Sequence, residues 1–475
     1  MNEVIKKEFP KPLSLKKIIG PSFIMLAFGL GSGELILWPY LTANYGLGLV
    51  WGALVGITFQ YFIDMEIERY ALVKGESVFV GLAGLFKKAP YWFILSTFLG
   101  WALPGIIAAG SKSLAAVFGI ANFKWLAICL LLVIGLTLSL NRTVYSLMEK
   151  ITKWVILLGV AFILVMAILS VNFEAIKALG QGLIGIGAGF NFIPSGISLA
   201  VLLGAFAYAG AGGNLNLAQS IYIKEKGFGM GAYAHKMSGL FKSGKIDESF
   251  KLTGEDFEIN AESIKNFQGW WKRINTEHAL VFWFLGFTAM ALLMLLSYST
   301  TFGKADNAQG VNFLIHQGAN LSTILGAWAG PALLFVIGIL LVQTQLGVID
   351  STSRIMAENT ALKKIQLSGK KDVNLSKIYY FFVWAQILFG ILMFLFNFYE
   401  PVTLIVIGAV INAVAMIVHI FLVSYLNQKA LPKIFRPKLW RRLVLGVIFI
   451  SFLCFGVVTL WSNFLTLWAN LIAKI

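Results

Sequence analysis

Eleven apolar runs constrain this chain more than anything else in it. They fall at roughly 18–44, 46–68, 91–119, 123–140, 151–171, 196–223, 277–302, 321–352, 377–398, 401–427 and 441–470. About 20 apolar residues make a helix long enough to span a bilayer, and these runs meet or approach that length. Of the 475 residues 58% are hydrophobic and only 13% charged, too few polar groups to cover a soluble body of this size. In lipid the backbone must satisfy itself, so runs of this length predict an all-α polytopic membrane protein of about eleven helices. Residues 1–17 are polar, carry Pro10 and Pro12, and lead into a run too long for the core of a cleavable signal; they are expected to form a cytoplasmic tail.

A formal charge of +16 invites a nucleic-acid reading, but its placement argues against one. With the N-terminus inside, 33 of the 38 Lys and Arg residues fall in the tail and the inner connections. The outer side keeps Lys112, Lys124, Lys177, Lys304 and Lys474. The positive-inside rule therefore predicts a cytoplasmic N-terminus and an external C-terminus in the plasma (inner) membrane. The basic excess is an orientation signal with some attraction to anionic lipid, and no nucleic-acid partner is expected. Cys129 and Cys454 lie far apart in apolar runs, which gives neither a disulfide framework nor a thiolate metal cluster.

Two of the runs are flawed in the same way. The first contains Ala27-Phe-Gly-Leu-Gly-Ser-Gly-Glu-Leu35, with Gly29, Gly31 and Gly33 beside Ser32 and Glu34. Glycine costs a helix interior about 1 kcal/mol relative to alanine. A carboxylate at bilayer depth costs at least about 2.5–3.5 kcal/mol. The sixth run contains Tyr208-Ala-Gly210-Ala-Gly212-Gly213-Asn214-Leu-Asn216. First and sixth are corresponding places in a five-plus-five arrangement, and paired glycine-interrupted segments point to an inverted-repeat transporter with a midplane site. The expected organisation is a first repeat at 18–171, a second at 196–427 with a cytoplasmic loop at 224–275, and an extra helix at 441–470. Close packing of helices through small residues is the alternative account of the glycines.

Candidate site residues follow from the two breaks. Glu34 would begin the outer half of the first helix, where it could cap that end, pair with Lys112 or meet a cation. Carbonyls near 28–30 would be further cation ligands. Gln345 and Asn412 are amides deep in the eighth and tenth runs and need partners or a ligand. Asp350 and Arg354, four apart, can pair on one helix face. Lys112 can snorkel outward instead. The motif Asp64-Met-Glu66-Ile-Glu68-Arg69 is expected in a charged inner turn after the second run. Gly227-Phe-Gly-Met-Gly231 lacks the Lys-Ser/Thr of a phosphate loop, so transport would be secondary, not driven by ATP. No enzyme constellation is visible.

Gly20-Pro-Ser-Phe23, the first break, Gly46-Leu-Gly-Leu-Val-Trp51, Arg69 and Lys74-Gly75-Glu76 together resemble the opening pattern of the natural resistance-associated macrophage protein (Nramp) family. The resemblance continues at Gly212-Gly-Asn-Leu-Asn-Leu217 and at Gln345, and is weaker through the third, ninth and eleventh runs. It implies a LeuT-type 5+5 inverted repeat with helices 1 and 6 discontinuous, and a divalent-metal symporter coupled to protons. The family's Asp-Pro-Gly-Asn corresponds to Gly31-Ser32-Gly33-Glu34, which keeps only the glycine. Its Met-Pro-His-Asn corresponds to Ala211-Gly212-Gly213-Asn214, which keeps only the asparagine. The third run also lacks the family's acids. A carboxylate and a thioether suited to transition metals are thus gone.

The expected substrate site is Gly31, Ser32, Glu34, Ala211, Gly213, Asn214, Asn216 and Gln345. Glu34, Lys112, Asp350 and Asn412 are the candidates for coupling or charge pairing, and Glu34 is the best metal ligand. No cofactor is expected beyond a bound cation. Oxygen ligands in a roomier cavity suit a hydrated, Mg²⁺-like cation. A small organic solute such as an amino acid, or a non-transporting sensor with a degenerate site, are the other readings.

Overall fold

The computed structural model describes residues 6–140, 144–234, 252–305, 307, 310–368 and 373–472. Asn141, Arg142, Asp247, Glu248 and Lys474 lie outside the described residues. No β-strand occurs among the described residues. Membrane-length helices are α1 (Pro21–Tyr45), α2 (Leu47–Lys74), α3 (Ala89–Phe118), α4 (Phe123–Leu140) and α5 (Val144–Ser170). The sixth run is divided into α6a (Leu199–Ala207) and α6b (Leu215–Lys226), each too short to cross alone. Then come α7 (Ala261–Thr301), α8 (Ala329–Ser368), α9 (Leu375–Leu395), α10 (Pro401–Ala430) and α11 (Leu439–Ile472). Ten continuous helices among the described residues are long and apolar enough to cross a membrane, and the divided sixth completes the expected eleven.

The order of burial follows the sequence anomalies. In α1 94% of the apolar stretch is buried, against 28% in α11. The helix carrying the glycines and the acid is therefore the centre of the bundle. It packs on α8, α5, α6b and the Leu285–Thr301 part of α7, while α6a lies on α10 and α6b on α2. The mainly apolar α4, α9 and α11, charged only near one end, form the rim, where exposed side chains such as Leu132, Leu388 and Val457 suit lipid. In α3, residues 102–104 interrupt the helix at Pro104, as that proline predicts.

Three segments differ from expectation. The connection at 224–275 is not all loop: Asn260 and Ser263 form a capping box, and a helix runs from Ala261 into the membrane part of α7. That portion is amphipathic, so a search for apolar runs passes over it. Asp64, Glu66, Glu68 and Arg69 do not lie in a turn but inside α2, all of them buried. Two helices outside the spans, Phe173–Leu183 and Asn312–Leu325, pack at the end of the bundle opposite the basic connections. That basic end is fastened by ion pairs. Arg354 of α8 meets Asp350 at 2.9 Å and Glu225 of α6b at 2.7 Å, and Lys224 lies 3.5 Å from Glu358. Lys226 meets Glu149 of α5 at 2.5 Å.

Candidate functional site

The break in α6 is an unwound stretch between Tyr208 and Asn214. Gly210, Gly212 and Gly213 take φ of +126°, +72° and +54°. A residue with a Cβ is disfavoured there by about 1–2 kcal/mol, which is why this turn needs glycine. Unwinding frees backbone groups, and a buried group without a partner costs about 1–3 kcal/mol. Gln60 of α2 meets that need from outside. Its Nε2 donates to the Ala207 carbonyl at 2.8 Å, and its Oε1 accepts from the Gly212 N–H at 2.9 Å. Asn216 donates to the same oxygen at 3.2 Å.

The break in α1 is narrower. Leu30 alone leaves helical geometry, with ψ of +46°, and Gly33–Leu37 then closes as a π turn. Here the outside partner is Thr344 of α8, whose hydroxyl lies 2.8 Å from the Ala27 carbonyl and 3.0 Å from that of Leu30. Of the carbonyls near 28–30 expected to face a cation, that of Leu30 is thus already engaged by the adjacent threonine. The glycines serve close approach. A Cβ on Gly33 would collide with the Tyr208 carbonyl, one on Gly31 with Thr344, and one on Gly29 with the Glu34 carboxylate and Gly210. Neighbouring atoms fill the space that the missing side chains leave, so among the described residues these glycines do not open the roomy cavity expected from the sequence. A void of about 10 Å³ remains among Gly100, Trp101, Tyr208 and Gly408, about the space of one water molecule.

Glu34 is fully buried, and neither carboxylate oxygen has a hydrogen-bond partner. It folds back along α1 onto Gly29 and faces Gly286 of α7. Lys112 does not reach it. That ammonium donates to Asn312 at 3.3 Å, toward the opposite end of the bundle. Asp350 is likewise committed, to Arg354 and to the Tyr379 hydroxyl at 2.6 Å. Ala211 is buried against the core, and the buried Ser32 hydroxyl has no partner.

On the other side of the α6 break, Asn214 donates to Ser96 at 2.8 Å and Thr97 at 3.0 Å, both on α3. Asn412 donates to the Gly100 carbonyl and the Tyr208 hydroxyl, each at 2.9 Å, and lies against Gly213. Tyr208 stacks on Trp101 at 4.9 Å. A pattern runs through these amides. The N–H groups of Asn214 and Asn412 are spent on the protein, while the oxygens of Asn214, Asn412 and Gln345 are buried without a partner, as are those of Glu34. The Ser32 hydroxyl and the Trp101 indole N–H are buried without a partner as well, so the region holds unpaired donors beside a larger number of unpaired acceptors. No group of three or more His, Cys, Asp or Glu among the described residues is placed to hold a metal ion. The structure therefore brings Gly213, Asn214 and Asn412 together near α3, sets Glu34, Gln60 and Asn216 on the α2 and α7 side, and leaves Lys112 and Asp350 outside both groups.

Gln60 and Thr344 escaped the sequence reading. Gln60 is a lone amide in an apolar stretch and Thr344 lies between Gln343 and Gln345, and only the fold shows that each caps a break. Tyr208 was read as the start of the sixth break, and its stacking partner was not foreseen.

No protein-family model and no curated protein matches the chain. Among solved structures, crystal structures of a manganese transporter from Eremococcus coleocola align over 97% of this chain and 90% of that one, with 14% identity and a TM-score of 0.69. One in complex with an aromatic bis-isothiourea substituted compound aligns with a TM-score of 0.66. MhsT in complex with L-phenylalanine aligns over 96% of this chain and 99% of that one, with 13% identity and a TM-score of 0.52. These likenesses define the class of architecture: the chain is an all-α membrane protein of the LeuT-type 5+5 fold, with its first and sixth helices interrupted.

Proposed function

We propose that this chain is a secondary transporter that carries a hard cation, Mg²⁺-like and not a transition metal, across the plasma (inner) membrane by alternating access. One observation carries the reading: buried acceptor oxygens of Glu34, Asn214 and Asn412 at the two breaks, and of Gln345 beside Thr344 on α8, stand without partners. Buried polar groups are almost always bonded, so an excess of unpaired acceptors calls for a ligand of the opposite sign. Oxygen ligands with one carboxylate and no thioether suit a cation that keeps part of its water. The solved neighbours, one of them a manganese transporter, add weight to transport as such. In this reading the N-terminus is cytoplasmic and the C-terminus external, from the placement of basic residues.

The site is shut on both sides here. Glu34 is fully buried, and the ion pairs of Arg354 and Lys224 tie α6b to α8 at the basic end. Passage through the basic end then requires those pairs to part. Breaking a buried pair costs about 3–5 kcal/mol when one partner is lost, so the ligand's own binding energy has to offset the opening.

A second reading is a small organic solute bearing an ammonium group. The same acceptors, with Trp101 and Tyr208 stacked beside them, suit it, and MhsT is the neighbour with L-phenylalanine bound. Uptake into proteoliposomes of Mg²⁺, Mn²⁺ and a panel of amino acids, with stabilisation of the detergent-solubilised protein by the same solutes, separates the two. Mg²⁺ uptake abolished by Glu34→Gln supports the proposal. Uptake of an amino acid alone replaces it, and no response to any solute favours a sensor. Glu34→Gln is also expected to raise thermal stability by about 1–2 kcal/mol, since an unpaired buried carboxylate is costly. Lower stability in that variant would mean Glu34 is a structural cap.

A further inference from the structure

The connection between α5 and α6a carries a surface that nothing above uses. Its helix, Phe173–Leu183, follows closely on the end of α5 at Ser170, and the Asn172 side chain caps it by accepting from the Ala175 N–H at 2.9 Å. Its last turn reaches the turn between α1 and α2, where a Cβ on Gly182 would collide with the Leu47 carbonyl. Both ends of the helix thus lie at the ends of spans, on the side opposite the basic connections. At about 1.5 Å per residue it runs for about 16 Å along the plane of the bilayer surface.

Three faces run along this helix. The buried Ala175 and Gly182 mark the side that packs on the protein. Glu174, Lys177 and Gln181, all exposed, form a polar arc. Phe173, Ile176 and Leu183 are 76%, 51% and 39% exposed, and they share a third arc with Gly180, where an added Cβ would meet open space. At about 100° per residue the three arcs are centred roughly 120° apart. A surface helix in water turns its apolar stripe toward the core. Here that stripe is turned away from the protein and from the polar arc alike.

The other helix at this end does the opposite. Asn312–Leu325 buries Phe313, Leu314 and Leu321, with Ile324 as its exposed exception. Apolar exposure is therefore particular to the α5–α6a connection and not a property of this end of the bundle. The adjoining surface identifies what covers it. Ile168 and Leu169, in the last turn of α5, are exposed on a spanning helix and lead directly to Phe173, and the apolar surface continues beyond the helix through the exposed Ile184 and Ile186. A helix with protein beside it, acyl chains beneath it and water above it needs this three-way division.

We propose that Phe173–Leu183 is an interfacial helix, its apolar arc seated in lipid at the boundary of headgroups and acyl chains and its polar arc in water. What it holds is the turn between α1 and α2. Beyond the Gly182 contact, Gly48 lies against Gly187 and Phe190, and the Trp51 indole N–H donates to the Phe192 carbonyl at 3.0 Å. The lipid seat fastens to the bilayer surface the end of α1 that lies past its break. The proposal rests on the membrane-spanning fold and is independent of the cargo.

The test uses the full-length protein with Cys129→Ala and Cys454→Ala, spin-labelled at one position of either exposed arc at a time and reconstituted into phosphatidylcholine vesicles. Collision with oxygen, which concentrates among acyl chains, is compared with collision with a water-soluble nickel chelate. The four apolar-arc positions are expected to favour oxygen and the three polar-arc positions nickel, so that the preference reverses within each turn of about 3.6 residues. Nickel dominating at all seven positions puts the helix in water and overturns the proposal. Protection of the apolar arc from both reagents also overturns it, because a second copy or another protein then covers that face. All seven positions are exposed, so the labels displace no packed side chain, and where one variant does not express the others on its arc decide. Ile176→Glu is expected to abolish the oxygen preference at 173 and 183 and to speed amide exchange at 46–51. Unchanged exchange there, with the preference lost, would overturn the fastening of the turn.

Discussion

The two breaks occupy matching places in the two halves of the chain, yet they are built differently. In α6 the backbone unwinds over several residues, its glycines are needed for their φ angles, and Gln60 reaches across from α2 to satisfy it. In α1 one residue departs from the helix, the glycines are needed because other atoms press against them, and Thr344 reaches across from α8. The pseudo-symmetry of an inverted repeat thus preserves where a helix is interrupted and not how. Each break is stabilised by one polar side chain from a neighbouring helix, in keeping with the rule that irregular backbone in a membrane must be satisfied by protein.

That contrast can be broken by mutation. Gln60→Leu leaves the Ala207 carbonyl and the Gly212 N–H without partners and is expected to cost about 3–4 kcal/mol, the largest effect, read as a fall in the unfolding midpoint in detergent. Gly33→Ala drives a methyl into the Tyr208 carbonyl and is expected to cost about 2–3 kcal/mol by overpacking. Gly212→Ala meets a conformational penalty instead, about 1–2 kcal/mol. Thr344→Val keeps the packing and removes one hydroxyl shared by two carbonyls, for about 1 kcal/mol. If Thr344→Val proved as damaging as Gln60→Leu, the breaks would be equivalent after all. If Gly33→Ala were neutral, the packing account of the α1 glycines would fail.

Much of the architecture could be read from the chain because hydropathy reports helix positions directly. Only the divided sixth run lacks a continuous helix of spanning length. The places of the breaks were legible for the same reason, since Gly29 to Glu34 and Gly210 to Asn216 are anomalies against an apolar background. What surrounds them was not. Gln60 and Thr344 act through contacts with residues far away in sequence, and no local pattern carries that information. The glycines were misread as space, because a sequence shows a missing side chain and not the neighbour that fills its place. Asp64 and Glu68 were assigned to a turn on account of their charge. Their spacing of four, which places both on one face of α2, was the signal that could have put them inside.

Helix α7 has a further consequence. Its 41 residues make a rod about 60 Å long, roughly twice the thickness of a bilayer's hydrocarbon core. The part that precedes the π turn at Ala279–Phe284 is bound to the N-terminal strap through Asn266 to Phe9, Trp270 to Pro10 and Arg273 to Pro12. Such a rod is a lever. A tilt of about 10° in its membrane half would carry the tip of the 18-residue arm Ala261–His278 through about 5 Å. The strap would move with it, and its residues run on directly into α1. Small rearrangements at the bundle's centre would thus register as larger displacements at its surface, where a pair of spectroscopic probes can follow them.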